Sequence, residues 1–232
     1  SASGAIGWRP AGLLPRRREG TDGSVPYDAA DPANGWRGFV PMSDLPRVVD
    51  PPEGFVVTAN QRTIGTSFGT VVSADWGHPG RARRIRDLLR GRKAAGTPMT
   101  RADAEAIQLD ERSETMRRTA AALRPFLPAD LARLLDGWDG TADASSARYL
   151  VARALRRAVR EKALAAWKAP AVRWHLEGDN WNDLLEAGDA AFRAAGLGPR
   201  DAFLAGAAAD AVSALEERWG KERARWTWGE AN

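Results

Sequence analysis

Residues 35–62 read GWRGFVPMSDLPRVVDPPEGFVVTANQR, and this stretch decides how the N-terminal part of the chain is interpreted. It combines a Trp-Arg-Gly turn, Pro-punctuated loops and an apolar run at residues 55–58, which predicts a short strand. The strand would end on the polar pair Asn60 and Gln61. A side-chain amide at a strand tip can aim a hydrogen-bond donor into a reaction site. Taken alone, the pair favours an ordinary turn, because Asn tolerates unusual backbone angles.

Working outward from this stretch, the chain divides into two parts of different character. Residues 1–77 are rich in Gly, Pro and Asp, and their short apolar runs predict strands at 39–40, 55–59 and 71–73. Residues 78–232 show helical spacing instead, with Ser145 or Ser146 and Asp179 or Asn180 as candidate caps. The predicted helices are 81–93, 100–123, 128–135, 146–167, 180–196 and 201–219. The fold class is therefore α+β: a β-rich part at 1–77, followed by a mainly helical subdomain at 78–232.

Composition excludes several classes of site. The 232 residues include no Cys, so disulfides, thiolate metal sites and cysteine nucleophiles are absent from this chain. The two histidines, His78 and His175, lie far apart in sequence, so neither a zinc site nor a Ser-His-Asp triad is expected. No run of about 18 apolar residues is present, so no membrane partner is expected. No signal peptide opens the chain, and any export signal would lie upstream of Ser1.

The positive charge is concentrated in one segment. The formal net charge is +4, and the densest basic run spans residues 81–93. Ile85, Leu88 and Leu89 recur there at helical spacing, which indicates an amphipathic helix with a solvated basic face. No nucleic-acid-binding motif accompanies it, so no nucleic-acid partner is expected. The competing interpretation, a basic helical nucleic-acid binder, predicts strongly salt-dependent affinity for DNA.

A series of short motifs follows one another in a specific order along the whole chain. They are Ile6-Gly7-Trp8, the GLLPR run at 12–16, Gly35-Trp36-Arg37-Gly38, Pro51-Pro52-Glu53-Gly54-Phe55, Thr58-Ala59-Asn60-Gln61, Asp75-Trp76, the RARRI run at 81–85, the QLDERS run at 108–113, Trp138-Asp139-Gly140, and Trp226-Thr227-Trp228-Gly229. In this order the chain resembles the penicillin amidase family of N-terminal-nucleophile acylases, which includes penicillin, cephalosporin and acyl-homoserine-lactone acylases.

The resemblance implies a fold, a reaction and partners. Family precursors are cut into an α chain and a β chain, and the β chain begins with a serine whose own α-amino group acts as base. This chain looks like an internal piece of a β chain, contributing strands to an αββα sandwich. Its implied partners are the α chain, the remainder of the β chain and a small N-acylated substrate. The implied location is periplasmic or secreted.

The resemblance also implies two site residues. The family's Asn-Asn motif supplies an oxyanion donor, and the matching position is Asn60. Arg81 matches a family arginine near the site, although its simpler interpretation is a first-turn arginine on a basic helical face. Removing one oxyanion donor typically lowers the rate about 100- to 1000-fold.

The chain departs from the family pattern at two places. Ser1 is not expected to be the nucleophile, because Ile6-Gly7-Trp8 matches a segment well inside the family's β chain. The structural calcium of many relatives takes a carboxylate from just beyond the Asn motif, yet residues 63–70 contain no Asp or Glu. Pro26 matches a position that contributes only a carbonyl, so no metal or other cofactor is predicted. The alternative function is a catalytically inactive binding or scaffolding module that lacks the nucleophile.

Overall fold

A computed structural model describes residues 3–65, 67–168 and 180–231 of the chain. It divides the chain into two compact units, Ser1–Arg101 and Ala102–Asn232. The helix that follows Gly80 therefore belongs to the first unit. A functional domain boundary after residue 77 stays a prediction. Ser1, His175 and Asp179, which the sequence analysis considered, lie outside the described residues.

The first unit is built mainly from loops around a small antiparallel sheet. Strand β1 is Gly7–Trp8 and strand β2 is Val48–Val49, with Gly7 opposite Val49. The carboxylate of Asp50 accepts a hydrogen bond from the Ile6 amide at 2.9 Å, which closes the end of this ladder. The unit ends in helix α1, Gly80–Ala94.

The three strands predicted in this unit are wrong. Residues 55–59 and 71–73 form no strand, and in the 39–40 run Phe39 makes only an isolated bridge with Pro15. The physical reason is visible at residues 57–59. The Val57 carbonyl and the Ala59 amide, which a neighbouring strand would engage, are both bonded by the Gln61 side chain. The coarse α+β assignment is confirmed by the helices and the small sheet, while the αββα sandwich stays a prediction.

The second unit is helical, and the bounds of its longest helices lie close to those predicted from the sequence. The described helices are α2 (Arg101–Gln108), α3 (Glu114–Leu123), α4 (Ala129–Leu134), α5 (Ala147–Trp167), α6 (Asn180–Glu186), α7 (Asp189–Ala194), α8 (Arg200–Trp219) and α9 (Trp228–Ala231). The prediction for α5 is confirmed, including its cap: the Ser146 hydroxyl accepts from the Arg148 amide. The predictions for α4 and α8 are confirmed within two residues.

Two predicted helices are each broken in the structure. The 100–123 helix is α2 and α3, because Arg112 pairs with Thr141 in an isolated bridge and Ser113 begins a new helix as its N-cap. The 180–196 helix is α6 and α7, and Gly188 in extended conformation precedes α7. Both breaks arise from a contact or backbone geometry that helical periodicity does not encode.

Helix α5 is the centre of the second unit's core. It packs against α3, α8 and α9, and Leu155, Ala152 and Ala163 on its inner face are fully buried. The buried residues Leu150, Leu155, Val159 and Leu164 recur along α5 at helical spacing, so they share the inner face. Buried Thr119 on α3 lies 2.9 Å from the Asn182 side-chain oxygen on α6, so a polar contact joins these helices inside the core.

An ion-pair network joins the same two helices at the surface. The Arg118 guanidinium of α3 donates to Glu186 at 2.6 Å and to Asp183 at 2.8 Å on α6. This contact holds the pKa of Glu186 below its ordinary value.

Within the described ranges, none of the helices has the length and apolar character that crossing a membrane requires.

Candidate active site

The loop at residues 57–61 is held in shape from the inside. Val57 and Ala59 are buried with Ala82 of α1 in a small apolar cluster, against which Phe55, Ile85 and Leu89 also pack. The Gln61 side chain is only 8% exposed: its Oε1 accepts from the Ala59 amide at 2.6 Å, and its Nε2 donates to the Val57 carbonyl at 3.1 Å. Apolar burial and a satisfied buried amide together fix this loop against α1.

Asn60 lies at the exposed tip of the same loop. Its φ is 67°, in the left-handed region that Asn adopts more readily than most residues. Its carbonyl accepts a hydrogen bond from the Gly77 amide at 2.7 Å. A Cβ on Gly77 would lie 2.8 Å from the Cβ of Asn60, so this close approach requires glycine. The turn interpretation and the functional interpretation of Asn60 are therefore compatible, since the turn is what presents the side chain.

Arg81, in the first turn of α1, reaches the tip of this loop. Its Nη2 lies 2.6 Å from Oδ1 of Asn60 and 3.2 Å from the Ala59 carbonyl oxygen. The structure thus brings together the two site residues that the sequence analysis named. Within the described residues, both hydrogen bonds of Arg81 go to amide oxygens and neither goes to a carboxylate.

The Arg81 contact determines which end of the Asn60 amide is available. A guanidinium can only donate, so the atom facing it is the amide oxygen, and Nδ2 is the other terminus. Within the described residues Nδ2 has no hydrogen-bond acceptor. A charge-assisted hydrogen bond to Oδ1 also polarises the amide and strengthens its N–H groups as donors. The arrangement can therefore donate a hydrogen bond to an oxygen that develops negative charge.

The basic residues further along α1 contact the segment that precedes the 57–61 loop. The Arg90 guanidinium pairs with the Glu53 carboxylate, and Arg86 lies 3.7 Å from it. The Lys93 ammonium donates to the backbone carbonyls of Pro52 and Glu53 at 3.2 and 2.8 Å. Part of the basic run therefore anchors the segment that precedes the 57–61 loop. The absence of a nucleic-acid partner stays a prediction.

The expectation that this chain binds no metal stays a prediction. Among the residues that the structure describes, no group of three or more His, Cys, Asp or Glu side chains is arranged to hold a metal ion. The nearest carboxylate to Pro26 in sequence is Asp28, whose Oδ1 accepts from the Ala30 amide at 2.9 Å. Asp22 is similarly engaged, because hydrogen bonds from the Ser24 hydroxyl and amide lower its pKa.

Two features of the site were missed from the sequence. The sequence identifies Gln61 only as a polar neighbour of Asn60, and nothing in its local pattern shows that its side chain turns inward. Gly77 was not singled out, although a glycine just before a helix, outside any obvious turn motif, is a usable signal of close backbone approach.

Comparison with known proteins places these features in a family. A model of the penicillin amidase family matches residues 1–232. The chain is 34% identical over 164 residues to the penicillin acylase 2 proenzyme of Pseudomonas sp. strain SE83, covering 68% of this chain and 20% of that protein. It is 30% identical over 258 residues to the acyl-homoserine lactone acylase QuiP of Pseudomonas aeruginosa, covering 97% of this chain and 30% of that protein.

A solved structure supports the fold. The thermostable penicillin G acylase from Alcaligenes faecalis superposes with a TM-score of 0.63 over 97% of this chain and 47% of that chain, at 18% identity. The chain spans between 20% and 30% of the length of the two curated relatives above. Its ordered motifs and the match over all 232 residues lead to one conclusion: this chain belongs to the penicillin amidase family.

Proposed function

We propose that the full-length protein containing this chain is an acylase that hydrolyses the amide bond of a small N-acylated compound. Family membership supports the reaction class, since the relatives are named as penicillin and acyl-homoserine lactone acylases. The observation that carries the site assignment is the Arg81 contact, which occupies Oδ1 of Asn60 and leaves its Nδ2 as a donor. In this proposal Asn60 donates one hydrogen bond to the oxyanion.

The mechanism follows from what each group can do. An N-terminal serine supplied by the remainder of the β chain attacks the amide carbonyl, and its own amine, with a pKa of about 8, accepts the hydroxyl proton. The carbonyl oxygen becomes an oxyanion, which needs donors roughly 2.7 to 3.1 Å away. Nδ2 of Asn60 supplies one such donor. The oxyanion collapses as the C–N bond breaks, and the protonated α-amine gives its proton to the departing amine. The acyl-enzyme then reacts with water, which releases the acid and restores the serine hydroxyl.

Arg81 has a supporting role in this mechanism. It keeps the Asn60 amide in one orientation, so no reorientation is needed when the negative charge develops. Its positive charge also favours an anion near the tip of the loop. Among the described residues Arg81 forms no ion pair with a carboxylate, which is consistent with this role because a paired guanidinium would contribute a weaker field.

The proposal includes partners and a location. The α chain and the remainder of the β chain of the same precursor would supply the nucleophile and most of the acyl pocket. The protein would act in the periplasm or outside the cell, where N-acylated compounds from the surroundings are accessible.

The experiment is a hydrolysis assay on the full-length protein and its Asn60→Gly variant, with penicillin G and an N-acyl homoserine lactone as substrates. Glycine adopts a φ of 67° without strain, so this change removes the donor and keeps the backbone. The expected result is a fall in kcat of about 100- to 1000-fold. Asp50→Gly is the matched control, because Asp50 is another left-handed residue of the same unit (φ 43°) and its loss should leave kcat within about twofold.

Two outcomes would contradict the proposal. A full-length protein that turns over no N-acylated substrate supports the alternative of an inactive family-derived binding module. An active protein whose kcat is unchanged by Asn60→Gly removes the site assignment while leaving the reaction class intact.

A further inference from the structure

We propose that Gln61 is a positioning residue that acts on the reaction through Asn60. This inference rests on the proposed function, because it assigns a role relative to the oxyanion donor. Gln61 does not face the substrate: its side chain is 8% exposed, and both ends of its amide bond to the chain's own backbone.

The contacts of Gln61 make it a bridge across its own loop. Its Oε1 accepts from the Ala59 amide at 2.6 Å, and its Nε2 donates to the Val57 carbonyl at 3.1 Å. The side chain at position 61 must therefore accept a hydrogen bond at one terminal atom and donate a hydrogen bond from the other. A carboxylate lacks the donor and an aliphatic side chain lacks both functions, so a neutral amide is the chemistry that this position requires.

The bridge controls the residue that presents the donor. Ala59 directly precedes Asn60, and its two backbone groups are held from different sides. Gln61 accepts from its amide, while Arg81 donates to its carbonyl at 3.2 Å. Beyond Asn60, the Gly77 amide bonds to the Asn60 carbonyl at 2.7 Å. The left-handed backbone of Asn60 is thus fixed on both sides, and Gln61 is the buried member of this set.

The expected size of the effect follows from the sensitivity of catalysis to geometry. A misplacement of about 1 Å in a catalytic group lowers the rate roughly 100-fold. Without the hydrogen bonds from Gln61 to Ala59 and Val57, the loop keeps its apolar cluster and its contacts with Arg81 and Gly77, but it loses the bridge across its own backbone. We therefore expect Gln61→Met, which keeps a similar volume but neither hydrogen bond, to lower kcat about 10- to 100-fold with KM unchanged.

The test is a double-mutant cycle in the full-length protein. Gln61→Met is introduced both into the wild type and into Asn60→Gly, and kcat and KM are measured for all four proteins. If Gln61 acts through Asn60, the second change lowers kcat less than about twofold once the donor is gone. An equal loss in both backgrounds would show a role independent of Asn60 and would overturn the inference.

Controls separate positioning from a general loss of stability. Leu45→Ala removes buried apolar volume from the same unit at a position outside this cluster, and it should lower the melting temperature while leaving kcat unchanged. Gln61→Glu keeps an acceptor for Ala59 but loses the donor to Val57, so it serves where Gln61→Met does not fold. Wild-type kcat in both folded Gln61 variants would refute the inference. An unchanged kcat in Asn60→Gly would instead refute the assignment of Asn60 as the oxyanion donor, and absence of any turnover in the wild type would refute the proposed reaction.

Discussion

Replacing Asn60 by Asp separates catalysis from stability more sharply than any other single change in this chain. Aspartate has nearly the same shape as asparagine and also tolerates the left-handed backbone that Asn60 adopts, with φ of 67°. Its carboxylate can keep the 2.6 Å contact with Arg81, now as an ion pair. It cannot donate, so the Nδ2 function is lost. The fold is preserved and only the chemistry of one atom changes.

The expected fall in kcat for Asn60→Asp has two causes. The lost donor alone raises the barrier by about 2.7 to 4 kcal/mol, or 100- to 1000-fold. A carboxylate about 4 Å from the oxyanion adds a repulsion of up to roughly 4 kcal/mol at an effective dielectric constant near 20, which Arg81 partly cancels. We therefore expect a fall in kcat of at least about 1000-fold, larger than for Asn60→Gly. Stability should be equal or higher by no more than about 1 kcal/mol, because the new ion pair is exposed.

The assay compares wild type, Asn60→Asp and Asn60→Gly as full-length proteins. Single-turnover acylation of the nucleophile reports the step in which the oxyanion forms, and thermal melting reports stability. If Asn60 served only to shape the turn and hold Arg81, Asp would serve as well as Asn. An Asn60→Asp variant that keeps more than a tenth of wild-type kcat would therefore refute the donor assignment.

Three further predictions, each with a control variant, test the structure around and away from the site. Gly77→Ala would place a Cβ 2.8 Å from the Cβ of Asn60, so we expect a loss of about 1 to 3 kcal/mol in stability together with lower kcat. Gly69→Ala, where a Cβ meets nothing within 4 Å, should leave kcat unchanged, and similar kcat values for the two variants would contradict the close-approach argument. Leu155→Ala, at a fully buried position of α5, should lower the free energy of unfolding by about 2 to 5 kcal/mol in chemical denaturation. Leu109→Ala, at a position 76% exposed, should change it by about 0.5 kcal/mol or less, and equal effects would show that α5 is not the core. The hydrogen bond from Arg118 lowers the pKa of Glu186 from its ordinary value of 4.5. The contact therefore stabilises the fold fully above about pH 4.5, and this stabilisation is lost as the pH falls through the lower pKa of the folded state. Hydrogen exchange in α6, corrected for intrinsic rates, should reveal more opening near pH 3 than near pH 6, and Glu186→Gln should remove that difference.

How far the fold was predictable differs between the two units. Helix α5 was predictable in type and approximate length, because Ser145 and Ser146 are both good cap candidates and apolar residues recur at helical spacing over many turns. The strands of the first unit were not, because short apolar runs between prolines identify no pairing partner. The pair that does form, β1 with β2, joins residues about 40 positions apart.

The candidate site shows the same division. Asn60 and Arg81 were named from their places in an ordered series of motifs, and the structure brings them within 2.6 Å of each other. Their contact spans 21 residues, and local periodicity carries no information at that range. The role of Gln61 depends on the inward turn of its side chain, and the role of Gly77 depends on how closely its backbone approaches Asn60.

By itself, the sequence determined the helical character of residues after 80, the approximate length of α5, the exclusion of cysteine chemistry and, through its family resemblance, Asn60 as a candidate donor. These properties depend on residue type, spacing and motif order, all of which are local or additive along the chain. Only the tertiary structure decided that the 57–61 loop is not a strand, that Arg81 occupies Oδ1 of Asn60 and that Gln61 satisfies the buried backbone of its own loop. The physical reason is that hydrogen-bond groups removed from water must find partners, and which partner is found depends on the three-dimensional arrangement rather than on the order of residues.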